Sequence, residues 1–144
     1  MKIDLVRIKK YLIEIKKYSM ELRQLIEKNE LTPGSIPLNA AKYILIELAE
    51  AMSNTIQHIL AKDKGVPVSG YIDAILKAYE NGIIKEDLFK RLKPFFDFRN
   101  SLIHRYWTVN DLRLIDNIKN GLRDFEAFTE SIETYIRKVS DKPH

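Results

Sequence analysis

Apolar residues in this chain recur every three or four positions for nearly its whole length, and no stretch alternates long enough to compete as a strand. From about Ile3 to Lys28 that spacing gathers Leu5, Ile8, Leu12, Ile15, Leu22 and Ile26 on one side of a helix, with lysines and glutamates opposite. The peptide "NELTPGSIPLN" then interrupts with two prolines and a glycine, which marks a connection. A second helix, about Leu38 to Ala61, carries Ile44, Leu48, Ala51, Met52, Thr55 and Ile59 as its buried stripe and ends in "KDKGVPVSG". Ser69 is placed to cap a short third helix, Tyr71 to Glu80, which Asn81-Gly82 stops. The fourth starts near Lys85 and contains Pro94, whose missing N–H predicts a bend just before the segment that follows. Asn110 or Thr108 caps a fifth helix to about Val139, with Leu112, Ile115, Ile118, Leu122, Phe125, Ile132 and Ile136 inside. The expected architecture is all-α, a mainly antiparallel bundle of about five helices joined by short loops.

Composition narrows the function classes. A chain of 144 residues has the length of one domain, here expected to span 1–144. Its 45% hydrophobic and 31% charged content is that of a soluble globular protein rather than a disordered one. No apolar run approaches the roughly 20 residues that cross a bilayer. The opening "MKIDLVRIKKYLIEIKKY" interleaves charge throughout, unlike a signal peptide, so the expected location is the cytoplasm. The absence of cysteine excludes disulfides, thiolate metal sites and a cysteine nucleophile. A net charge of +4 permits an anionic partner such as RNA without demanding one.

The densest chemistry lies in "FRNSLIHRYW", Phe98 to Trp107. At about 100° per residue, Phe95, Phe98 and Leu102 cluster on one side of the fourth helix as its core face. Arg99, Asn100, His104 and Tyr106 fall on an adjoining arc roughly 160° wide. Arginine is a fixed cation whose planar donor fork suits phosphate oxygens. Histidine passes protons near neutral pH. Together they can cleave RNA without a metal: His104 takes the proton of a 2′-hydroxyl or protonates the leaving oxygen, and Arg99 stabilises the phosphorane-like charge. Asn100 orients the phosphate or the imidazole. One histidine does not easily act as both base and acid, which calls for a second copy from a symmetric partner. The competing reading is a solvated His–Arg surface pair beside aromatics that simply pack in the core.

The stretch resembles the signature of the HEPN superfamily, an arginine, four to six residues, then histidine. More narrowly it is similar to the R-x-x-x-x-H-x-Y form of HepT-like toxins, with Arg99, His104 and Tyr106 at the matching spacing and Asn100 at the polar position after the arginine. The likeness extends to "KYILIELAEAMSNTIQHIL", which includes Glu47, and to "PVSGYIDAILKAYENGIIKEDLFKRL", so that it covers about Ile3 to Phe128. It implies an all-α homodimer whose two motifs face each other across a cleft. It implies a metal-independent endoribonuclease, without cofactor, acting as the toxin of a toxin–antitoxin module. The implied antitoxin is an MNT-type nucleotidyltransferase that binds the toxin and attaches AMP to the motif tyrosine, here Tyr106. Arg99 and His104 would be catalytic, with Asn100 and Glu47 in support. The residue between histidine and tyrosine is often acidic in the family and is Arg105 here; by helical arithmetic it points away from the cluster. His58, mid-helix, reads as a hydrogen-bonded packing or dimer residue, and His144 lies at the terminus. A non-catalytic bundle that binds a nucleotide, or serves a nucleotidyltransferase as its substrate-binding partner, is the alternative.

Overall fold

The computed structural model describes residues 3–104 and 110–140, with the side chains of residues 101–104 left outside the description. Five α-helices follow one another: α1 Leu5–Glu27, α2 Ile36–Ile59, α3 Tyr71–Glu80, α4 Glu86–His104 and α5 Asp111–Ser140. No strand occurs among the described residues. The architecture is the expected all-α bundle. No helix among these residues is long and apolar enough to cross a membrane.

Local chemistry sets the helix ends. Asp4 caps α1 by accepting from the Arg7 N–H at 3.1 Å. Ser35 caps α2 in the same way, from the Leu38 N–H at 3.1 Å, so α2 starts two residues before the expected Leu38. Pro37, which reads as a breaker, sits in the first turn of α2, where its missing N–H leaves no intrahelical bond unmade. The end of α2 widens into a π-helical turn over Leu60–Lys64, closed by Gly65 in the left-handed region at φ 65°.

Ser69 is not the cap of α3. Gly70 takes that position at φ 90°, a conformation that favours glycine, and offers no side-chain acceptor. Asp73 compensates from inside the first turn, accepting from the Ser69 N–H at 2.8 Å. At α5 the cap is Asn110, whose Oδ1 accepts from the Arg113 N–H at 3.1 Å; Thr108 lies outside the described residues. Asp111 anchors this end of α5 to the start of α2, accepting from the Gly34 N–H at 2.8 Å and pairing with Lys42 at 3.4 Å.

Buried side chains from all five helices form one cluster. The expected stripe of α2 is buried throughout, while three other helices differ from expectation. On α1, Leu5 is exposed and Ile26 only half-buried. On α5, Leu114 is buried in place of Leu112, which stands exposed, and Ile136 is half-buried. On α4 the inward line is Leu88, Leu92 and Phe96 rather than Phe95 and Phe98, which are half-buried. The reason is that α4 is packed from several sides, by α2, α3 and α5. Apolar residues therefore surround much of its circumference, and their spacing cannot say which neighbour covers them. Phe95, for example, meets Phe125 of α5 edge-on at 4.9 Å. The helix continues through Pro94 to His104 without interruption. Arg91 ties α4 to α5 through Asp124 at 2.7 Å.

Candidate active site

The inward line of α4 does not end with Phe96. Arg99 follows Leu88 by eleven residues and so returns to within about 20° of it around the helix. An arginine thus continues a core face, and its side chain is only 12% exposed. Three helices supply its surroundings. From α3, the ring of Tyr71 lies against the guanidinium, with its centroid 3.6 Å from Cζ. From α4 itself, Asn100 Oδ1 accepts a hydrogen bond from Nη1 at 3.0 Å. From α2, Glu50 Oε1 stands 3.6 Å from Nη2, which is ion-pair range but too long for a hydrogen bond. Arg99 Nε is buried and has no acceptor among the described residues.

Glu50 also acts on Tyr71, so phenol, carboxylate and guanidinium share one charged neighbourhood. Burial pushes the Tyr71 pKa above the phenol range; the Arg99 charge pulls it down, and the Glu50 charge and hydrogen bond push it up again. The phenol therefore stays protonated. Glu47, one turn before Glu50 on α2, is half-buried and is not the carboxylate beside Arg99. Its charge does reach the same region, raising the pKa of Tyr18 after burial and adding to that of Tyr71.

Of the sequence-derived site residues, the structure brings Arg99 and Asn100 into contact, and not on a solvated arc. His104 is the last residue of α4, which places its backbone about 7.5 Å along the helix axis from that of Arg99. Its side chain, and the whole of Arg105, Tyr106 and Trp107, lie outside the described residues. Sequence reasoning missed Glu50 and Tyr71. The i,i+3 spacing of Glu47 and Glu50 was the available signal for the first. Nothing in the sequence near Tyr71 ties it to Arg99, since the contact exists only once α3 packs on α4.

His58 is buried, and its Nε2 accepts the Asp4 N–H at 2.9 Å, joining the end of α2 to the cap of α1. Burial first, then Arg7, hold its pKa below the usual histidine range against the opposing pull of Asp4. It is a neutral packing residue, as its mid-helix position suggested. A cleft of about 220 Å³ opens between α4 and α5, floored by Phe95, Phe98 and Phe125, but it includes none of the Arg99 cluster. Among the described residues no group of three or more histidines and carboxylates is placed to hold a metal ion.

A family model described as "Ribonuclease HepT-like" matches residues 8–132. The chain belongs to the HepT-like ribonuclease family. The matched span runs from α1 well into α5 and contains Glu50, Tyr71, Arg99, Asn100 and His104. Two solved structures share the HepT-like fold of this chain. One, described as a toxin–antitoxin with AMP-PNP, superposes with a TM-score of 0.80 at 20% identity over 89% of this chain and 98% of that one. The other, a mutant of the toxin–antitoxin MntA-HpeT, gives 0.76 at 20% identity with the same coverage. No curated protein sequence matches the chain.

Proposed function

We propose that the protein is the toxin of a toxin–antitoxin pair, an endoribonuclease that cleaves RNA without a metal ion at a cleft between two copies of the chain. The observation that carries this reading is Arg99. A buried guanidinium keeps an N–H without an acceptor among the described residues, five residues before a histidine on an uninterrupted helix, within the span of a ribonuclease family. A buried donor left unmade costs stability, so its persistence argues for a ligand that completes it. A phosphodiester is the ligand that suits a planar cationic fork.

The chemistry needs two proton carriers. His104 removes the proton of a ribose 2′-hydroxyl as its oxygen attacks phosphorus, while the partner subunit's His104, protonated, gives its proton to the departing 5′-oxygen. The P–O5′ bond breaks, leaving a 2′,3′-cyclic phosphate on one fragment and a 5′-hydroxyl on the other. Arg99 stabilises the charge that builds on the non-bridging oxygens in between. Asn100, already bonded to Arg99, keeps the guanidinium oriented. Glu47 adds negative charge at the edge of the cluster, which after burial raises the pKa of Tyr18 and adds a last increment to that of Tyr71.

The antitoxin in this reading is an MNT-type nucleotidyltransferase, supported by relatives of the same fold that are toxin–antitoxin assemblies, one with an MntA component and one with a nucleotide analogue. It would inactivate the toxin by binding and by AMP transfer: the Tyr106 oxygen attacks the α-phosphorus of ATP, its proton leaves, and pyrophosphate departs. Tyr106 is seven residues after Arg99 and nearly eclipses it on a continued helix, so an added phosphodiester could occupy the same cationic fork. The cleavage mechanism is tested by incubating purified protein with RNA in excess EDTA. Cleavage that persists, yields cyclic phosphate termini and is blocked by a 2′-deoxy substitution at the cut site is the expected result. Cleavage that stops in EDTA, or proceeds at the deoxy position, contradicts it.

A further inference from the structure

We propose that Tyr71 is a positioning residue for Arg99, its ring holding the guanidinium plane so that the donor edge stays open to an RNA phosphate. The proposal rests on the reading above, that the Arg99 cluster binds RNA.

A guanidinium can be held in two ways. Hydrogen-bonding neighbours hold it by its edges and use up its donors. An aromatic face holds it from below and leaves every edge free. Arg99 is held by the second device, with Tyr71 3.6 Å beneath Cζ. In arginine the Nε–H and one Nη2–H lie along a common edge, the side-on fork that meets two oxygens of an oxyanion. Asn100 takes Nη1, at the other end. The side-on edge is the part left unbonded: Nε has no acceptor among the described residues, and Glu50 Oε1 stands 3.6 Å from Nη2, beyond hydrogen-bond range.

Glu50 is the obvious competitor for that edge. A carboxylate has the same bidentate match to the fork as a phosphate, and a small shift would close it onto Nε and Nη2. A ring face that fixes the guanidinium from below leaves the carboxylate at 3.6 Å and the fork unclosed. Phenylalanine keeps that face, while leucine loses it.

The variants are compared by equilibrium binding of an RNA oligonucleotide 2′-O-methylated throughout, which binds without being cut, across a salt series. Tyr71→Leu should weaken binding about 2- to 30-fold, the range of a lost cation–π contact. It should also lower the salt slope by roughly 0.7, the loss of one single-strand phosphate contact. Tyr71→Phe, which keeps a ring beneath the cation, should retain wild-type affinity and slope. If Tyr71→Leu folds poorly, Tyr71→Met, closer in volume to the ring, should show the same loss. Wild-type affinity and slope in the variant without a ring, an unchanged slope with weaker binding, or an equal loss in Tyr71→Phe overturns the proposal while leaving RNA binding intact. A wild-type protein that neither binds nor cuts RNA overturns the proposed function, and this inference with it.

Discussion

Arg99 is the residue at which sequence and fold pull in opposite directions. Its place in the helix is a core position, and its chemistry is that of a solvent cation. Burying it beside an anion, an amide and a ring resolves the conflict only in part, since Nε has no acceptor among the described residues. In the proposed function that donor is where an RNA phosphate binds. Arg99, Asn100 and His104 were legible in the sequence because they sit within two turns of one helix, where spacing alone relates them. Glu50 and Tyr71 were not, because they arrive from two other helices. Tyr106 belongs to this scale too. Co-expression with an MNT-type nucleotidyltransferase, the antitoxin of the proposed function, should raise the intact mass of the protein in steps of one AMP, and Tyr106→Phe should lose the added mass. A Phe variant that keeps all of it would place the modification elsewhere.

At the scale of the elements, periodicity located every helix, and the departures cluster at ends and faces. Pro37 reads as a breaker but serves in the first turn of α2, and Gly70 rather than Ser69 opens α3. Both follow from backbone preferences that depend on where the helix has already begun. The core face of α4 was misjudged because its apolar residues outnumber one face, and only packing assigns them. The joint between α1 and α2 carries a pH dependence. His58 accepts the Asp4 N–H only while neutral, and its pKa in the fold lies below the ordinary 6.5. The unfolded chain therefore takes up the proton first as pH falls. The contribution of His58 is fully present above pH 6.5 and declines below it, toward its lower folded value. Thermal unfolding at pH 7.5 and 5.5 should show a larger loss for the wild type than for His58→Gln, whose amide oxygen accepts without titrating. Equal losses in the two proteins would show that His58 is not the group responsible.

For the molecule as a whole, one core joins all five helices, and α4 is the element around which the site is organised. It contacts α2 and α3 on the side of Arg99, and α5 through Arg91 and Phe95. That enclosure mounts Arg99 among three helices, and His104 is the last residue of α4. The family places such a chain among ribonucleases, and the arrangement supplies a cation and a histidine on one rail. The most direct test of this account is the single-turnover rate of RNA cleavage in EDTA for the wild type and for His104→Ala. Loss of at least about 100-fold, the lower range for a missing general acid–base group, with RNA binding and melting temperature preserved, is the predicted result. A His104→Ala protein that cuts RNA at the wild-type rate would contradict the account at its centre.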